Sequence, residues 1–177
     1  MDIGGGAGIL AARCSGTLPM FPQCGSNIAP HRMTEIEKSV LVEYGPEQMF
    51  SLVDAVERYP EFLPWCGGAS VSYRDEQRTR ATIVIHYQGI RHAFTTENHK
   101  EPGRSISMHL VEGPFKSLDG AWAFVPLAGA GCRVELRLHY EFSSRILERL
   151  LGGIFGYIAD TMVDRFVRRA QAIYGTP

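Results

Sequence analysis

Cys132-Arg133-Val134-Glu135-Leu136-Arg137-Leu138-His139-Tyr140-Glu141-Phe142, followed by Ser143, Ser144 and the run from Arg145 to Tyr174, holds the key to the rest of the chain. Its first part alternates strictly: Cys132, Val134, Leu136, Leu138, Tyr140 and Phe142 fall on one face, and Arg133, Glu135, Arg137, His139 and Glu141 on the other. Period two of this kind predicts a strand with one greasy face and one wet face. At Ser144, a natural N-cap, the period changes. Leu147, Leu151, Ile154, Ile158, Met162 and Phe166 recur at helical spacing, with Leu150, Phe155 and Val163 widening the stripe, which predicts a helix to about Tyr174. Arg165, Arg168 and Arg169 occupy its last two turns, at the negative end of the helix dipole. A helix this apolar needs a sheet to cover it.

That sheet is legible upstream. Ala81, Ile83, Ile85 and Tyr87 share one face of a strand, and Gln88-Gly89 has the form of a two-residue hairpin turn. Pairing outward from the turn sets Ile85 opposite His92 and Ile83 opposite Phe94. The next apolar set, Ile106, Met108 and Leu110, stays on the same face only if the loop around Glu101-Pro102-Gly103 is odd or bulged, and an odd loop is expected. Leu118, Trp122 and Phe124 continue the pattern, and residues 128–131 turn the chain into the strand quoted above. Residues 69–142 therefore read as a meander of about six strands.

Nearer the start, Ile36, Val40 and Val42 alternate as in a half-buried strand. Gly45-Pro46-Glu47-Gln48 opens a helix with proline at its first position, and Met49, Leu52, Val53 and Val56 give it one apolar stripe. Pro60 and Pro64 confine residues 57–66 to a short helical turn ending at Trp65. The sum is an α+β fold, a curved antiparallel sheet wrapped around a long C-terminal helix in a helix-grip arrangement.

The 177 residues carry 18 Lys+Arg against 19 Asp+Glu, so a net charge of −1 gives no global pull toward nucleic acid, and no DNA partner is expected. The last 34 residues (144–177), with five arginines against three acids, are the one basic segment of the domain. Cysteines at 14, 24, 66 and 132 make no ligand-pair spacing, so neither a metal site nor a disulfide framework is expected. No apolar run approaches the ~20 residues of a membrane span. A cytoplasmic protein is expected, peripheral at the inner membrane if the stretch from Leu150 to Ile158 touches lipid transiently. Residues 1–32 hold four glycines in positions 4–8, three prolines and few charges, and are expected to be a disordered extension preceding a domain over 33–177. A start codon assigned too early is the simplest account, with Met33 as the natural first residue. Gly6-Ala7-Gly8-Ile9-Leu10-Ala11 matches a dinucleotide fingerprint in spacing but lacks its strand and its acid.

A sheet curled around one helix leaves a gap, to be filled by a packed core or kept as a hydrophobic tunnel. The side chains expected to face it are Phe94, Met108, Trp122 and Phe124 from strands, with Phe62 and Trp65 from the helical turn. Phe155 and Met162 join them from the long helix. Gly152, Gly153 and Gly156 each cost a helix about 1 kcal/mol against alanine. They imply close backbone approach, a kink or room kept open, tight packing against Trp122 being the plain alternative. His92 on the apolar face is either a satisfied core residue or a partner for a ligand's polar head. Cys66 reads as a small buried thiol. The scattered histidines form no catalytic or metal pattern, and the chain is not expected to be an enzyme or to carry a covalently bound cofactor.

Val56-Glu57-Arg58-Tyr59-Pro60-Glu61-Phe62-Leu63-Pro64-Trp65-Cys66 resembles a signature of the START-like group that contains the coenzyme Q-binding proteins and the RatA ribosome association toxins. The blocks from Gly113 through Phe115 and Trp122 to Leu127, Arg133 to Leu136, and Met162 to Ala170 resemble the rest of it. The resemblance covers about Thr34 to Tyr174. It implies a hydrophobic cavity, to which Phe115 also belongs, and either of two jobs. One is a non-enzymatic ubiquinone carrier or chaperone supporting respiratory electron transport, with the quinone ring near His92 or Tyr87 and the isoprenoid tail along Phe94, Met108, Trp122 and Phe155. The other is a toxin that binds the large ribosomal subunit and blocks its association with the small one. Polyketide cyclases in the wider superfamily supply a third reading. The carrier is the reading expected here.

Overall fold

The computed structural model describes residues 33–175 except 130, and the expectations for residues 1–32 lie outside the described residues. The elements run β1 (Thr34–Val42), α1 (Pro46–Asp54), a 3-10 turn (Val56–Glu61), β2 (Cys66–Arg74), β3 (Arg78–Tyr87), β4 (Ile90–Glu101), β5 (Ser105–Glu112), β6 (Phe115–Pro126), β7 (Cys132–Phe142) and α2 (Arg145–Tyr174). The strands form one antiparallel sheet in the order β1-β7-β6-β5-β4-β3-β2, so the six-stranded meander is completed by β1 pairing with β7.

Parity carries the design. Gln88 and Gly89 both take positive φ, 50° and 79°, the twist that a two-residue hairpin requires. Ile85 accordingly faces His92 and Ile83 faces Phe94. The next loop is odd, as expected: Glu101 pairs Ser105 around the three residues Pro102, Gly103 and Arg104, which puts Met108 opposite Asn98 and Leu110 opposite Thr96. One inner face thus runs unbroken from β3 to β7.

Ser144 caps α2, its Oγ accepting the Leu147 N–H at 3.3 Å. The buried face of α2 differs from the expected stripe: it is Leu151, Phe155, Ile158, Ala159, Val163, Phe166 and Ala170, while Leu150 is 55% exposed. Ala159 and Ala170 are fully buried, whereas the bulky Leu150 faces outward. The helix continues past the arginines, so no basic residue sits in its last turn, where the dipole acts. Arg169 pairs with Glu61 instead and lies over the Phe62 ring, 5.3 Å from its centroid.

Two aromatic knots clamp α2 to the sheet. Phe155 sits 4.6 Å from Tyr140 and 4.8 Å from Phe115 between ring centroids. Eleven residues on, Phe166 packs edge-on against Tyr59, Phe62 and Trp122 at 5.1–5.3 Å. Such pairs add about 0.5–1.5 kcal/mol each beyond the area they bury.

The opposite face of the sheet is charged and self-paired. Register lines up Glu35, His139, Asp119, His109, Glu97 and Arg80 across β1, β7, β6, β5, β4 and β3. Within that row His139–Glu35 (3.0 Å), His109–Asp119 (2.8 Å) and Arg80–Glu97 (2.6 Å) are in contact. The Arg80 guanidinium holds the Glu97 carboxyl below the usual carboxylate range. Arg133–Glu135 and Arg137–Glu37 flank the row. Exposed pairs like these stabilise little, but they leave that face without surplus positive charge.

Candidate functional site

Between the two aromatic knots lies a cavity. Its walls are Val56 and Tyr59 of the 3-10 turn, Trp65, the inward residues of β3 to β7, and Phe155, Ile158 and Met162 of α2. Its volume is about 50 Å³. A water occupies about 30 Å³ of the liquid, and an apolar cavity of about 150 Å³ is the size that admits benzene. The gap between sheet and helix is therefore nearly filled by the protein's own side chains, and a quinone ring does not fit in it as it stands.

Trp65, Phe94, Met108, Trp122, Phe155 and Met162 line the cavity. Five expected residues do not. Tyr87 stacks on Tyr157 of α2 at 5.6 Å. His92, at the far end of the hairpin, borders a separate open recess with Thr82, Glu112 and Pro114. Phe115 is consumed by the Phe155 knot, and Phe62 by Phe166 and Arg169. Phe124 packs edge-on against Phe50 of α1, 5.9 Å away. The inward face is longer than the void, and for Tyr87, Phe115, Phe62 and Phe124 a neighbouring element has already claimed the ring.

Three polar residues in the lining escaped the sequence reading: Tyr59, Thr96 and Asn98. The signal was available, because alternation from Phe94 places Thr96 and Asn98 on the same inner face. Thr96 Oγ1 donates to Asn98 Oδ1 at 2.8 Å. The Tyr59 hydroxyl donates to the Val53 carbonyl at 2.7 Å, and burial, with Asp54 nearby, pushes its ionisation well above the ordinary tyrosine range. Trp65 is 1% exposed, and its Nε1 is the one buried side-chain polar atom without a hydrogen-bond partner among the described residues. Just beyond the lining, Lys100 Nζ pairs with Asp54 Oδ2 at 3.3 Å.

The glycines of α2 border open space but do not line the cavity. A Cβ on Gly153 or Gly156 would meet nothing within 4 Å, and one on Gly152 only Phe142, at 4.0 Å. Tight packing against Trp122 is excluded; that ring meets Phe166. On the same half of the helix Ile146 and Leu150 are 71% and 55% exposed, whereas Phe155 and Ile158 point inward, so only part of the Leu150 to Ile158 stretch is available to a membrane. No helix among the described residues is long and apolar enough to cross one. Cys66 is buried, and burial raises its thiol above the usual range, as befits a small core residue. Among the described residues no three His, Cys, Asp or Glu side chains gather as metal ligands.

Elsewhere, α1, the 3-10 turn and the C-terminal turns of α2 enclose a groove of about 270 Å³ bordered by Leu52, Arg58, Phe62, Arg169, Ile173 and Tyr174. The sequence reading missed it, because its residues come from three separated segments.

Comparison with known proteins places this geometry. Ribosome association toxin RatA of Vibrio cholerae serotype O1 is 48% identical over 143 residues, covering 81% of this chain and 99% of that protein. The mitochondrial coenzyme Q-binding protein COQ10 homolog B of Xenopus laevis is 27% identical over 186 residues, 95% of this chain and 75% of that one. A START superfamily protein from Mycobacterium smegmatis, 19% identical, superposes with a TM-score of 0.66 over 78% of this chain and 98% of its own, a likeness of fold. The family described as polyketide cyclase / dehydrase and lipid transport matches residues 42–167. With a START-like fold and a match across most of its length, the chain belongs to that polyketide cyclase / dehydrase and lipid transport family.

Proposed function

We propose that this protein is a ribosome-associating toxin of the RatA kind, which binds the large ribosomal subunit and blocks its union with the small one. The observation that carries the reading is the 48% identity to a RatA spanning 99% of that protein. A cavity of about 50 Å³ supports it from the other side, since a carrier needs room for its cargo. Surface recognition, rather than chemistry, is the proposed mode of action: the polar groups of the lining are a tyrosine, a threonine, an asparagine and an indole N–H, which form no acid–base pair. The test is sedimentation of the purified protein with isolated subunits at two salt concentrations. Co-migration with large subunits at low salt, together with suppressed subunit joining, is expected; a folded protein that stays at the top of the gradient overturns the reading.

A second reading, ubiquinone binding, is favoured by one feature: the buried, unpartnered Nε1 of Trp65, a residue that shares the cavity lining with Asn98 and Thr96, is a donor without an acceptor. It requires α2 to shift, for which the helix-weakening Gly153 and Gly156 supply a place. Contact with the inner membrane through Ile146 and Leu150 belongs to this reading. Organic extraction and mass spectrometry of the purified protein tests it; absence of a bound quinone, with no quenching of Trp65 or Trp122 when one is added, rejects it.

A further inference from the structure

Among the described residues some arginines are ion-paired and others are not; Arg91 on β4, Arg104 in the loop before β5 and Arg149 on α2 stand unpaired and scattered, whereas three more unpaired ones share one region. On the outer sheet face Arg80, Arg133 and Arg137 are each neutralised by a carboxylate, and Arg74 at the sheet edge by Glu57. Arg58, Arg165 and Arg168 have no ion-pair partner among the described residues, and all three belong to the elements that form the groove between α1, the 3-10 turn and the end of α2. Arg58 and Arg169 stand at its edge, and Arg165 lies one turn before Arg169 on the same side of α2. On α1, the 3-10 turn and the C-terminal turns of α2 stand five acids, of which Asp54, Glu57 and Glu61 are already engaged by Lys100, Arg74 and Arg169, leaving Glu47 and Asp164 against Arg58, Arg165 and Arg168.

The groove also has what a bare basic patch lacks. Its volume of about 270 Å³ exceeds the about 150 Å³ that accepts a benzene ring. Glu61 holds the Arg169 guanidinium over Phe62, while Ile173 and Tyr174 are 43% and 38% exposed at the rim. Fixed guanidinium and aromatic surfaces are what unpaired bases stack on, and unpaired arginines are what phosphates seek. Resting on the ribosome-binding reading, we infer that this groove is the RNA-binding face: it takes single-stranded ribosomal RNA, with phosphates on Arg58 and Arg165 and a splayed base against the Phe62–Arg169–Tyr174 surface.

The experiment compares the full chain with Arg58→Glu/Arg165→Glu and with a control, Arg91→Glu/Arg104→Glu, of equal charge change. Binding to purified large subunits is measured across a salt series, with melting temperature as the check on folding. Neither Arg58 at the groove nor Arg165 beside it has an ion-pair partner among the described residues, so the melting temperature is expected to stay at the wild-type value. The groove variant is expected to bind at least about tenfold more weakly at fixed salt and to lower the salt slope by about two, while the control binds as wild type. Wild-type affinity in the groove variant, equal loss in the control, or weakened binding with an unchanged salt slope, the mark of a protein contact, each overturns the RNA assignment alone. A wild-type protein that fails to bind subunits at low salt overturns the ribosome reading and this inference with it.

Discussion

At the scale of a single residue, Tyr59 joins the fold to its interior. Its ring meets Phe166 edge-on at 5.3 Å, and its hydroxyl closes the carbonyl of Val53 near the end of α1. Tyr59→Phe keeps the ring and deletes only the donor. A buried carbonyl left unpaired costs about 1–3 kcal/mol, and denaturant unfolding at neutral pH is expected to register a loss of that order. Alkaline pH separates the hydroxyl from the packing. The folded protein holds this phenol protonated above its ordinary value of 10.0, so the unfolded chain gives up its proton first. Stability owed to this group is thus complete below about pH 10 and is lost as pH rises beyond it. Tyr59→Phe is expected to show a shallower alkaline decline than wild type; an identical slope would mean that Tyr59 does not hold its proton as described.

At the scale of elements, α1 is tied to the sheet through Asp54, which accepts from Thr79 of β3 at 3.4 Å and from Lys100 of β4 at 3.3 Å. The Lys100 side chain is 5% exposed and the Asp54 side chain 25%. Deleting the acid strands a buried ammonium, whereas deleting the base leaves a carboxylate that water can reach. Asp54→Ala is therefore expected to cost about 3 kcal/mol or more, and Lys100→Met distinctly less; urea midpoints in the reverse order would refute the argument. Gly153→Ala and Gly156→Ala enter open space and are each expected to stabilise by about 1 kcal/mol, read as a higher melting temperature. If the glycines serve α2 mobility, the same variants bind added quinone less well despite that gain. The sheet was legible because parity propagates: one hairpin at Gln88-Gly89 and one odd loop at Pro102-Gly103-Arg104 fix which side chains face inward from β3 to β5. The face of α2 was not, since hydropathy ranks Leu150 above Ala159, while packing buries the alanine and leaves the leucine exposed. For the same reason Trp65, Trp122 and Met162 could be read as inward without revealing that they meet across so small a void. Thr96 and Asn98 went unread because polarity masked their parity.

For the whole molecule, the question is which residues the activity requires. The family match spans residues 42–167, and 81% of the chain suffices to cover 99% of the Vibrio cholerae protein. Every strand and helix described lies after Met33. The inward faces of β3 to β7, both aromatic knots, the Asp54 tie and the arginine-rimmed groove all lie within Thr34 to Tyr174. A protein beginning at Met33 is therefore expected to melt at the temperature of the full chain and to bind large subunits with the same affinity and salt slope. Salt slope is the sharpest of these measures, because it counts phosphate contacts directly. Residues 1–32 contribute Arg13 and Arg32 against Asp2. A slope that becomes shallower on their removal would assign part of the RNA contact to that segment, and an unchanged slope would leave the contact to Arg58, Arg165 and their neighbours.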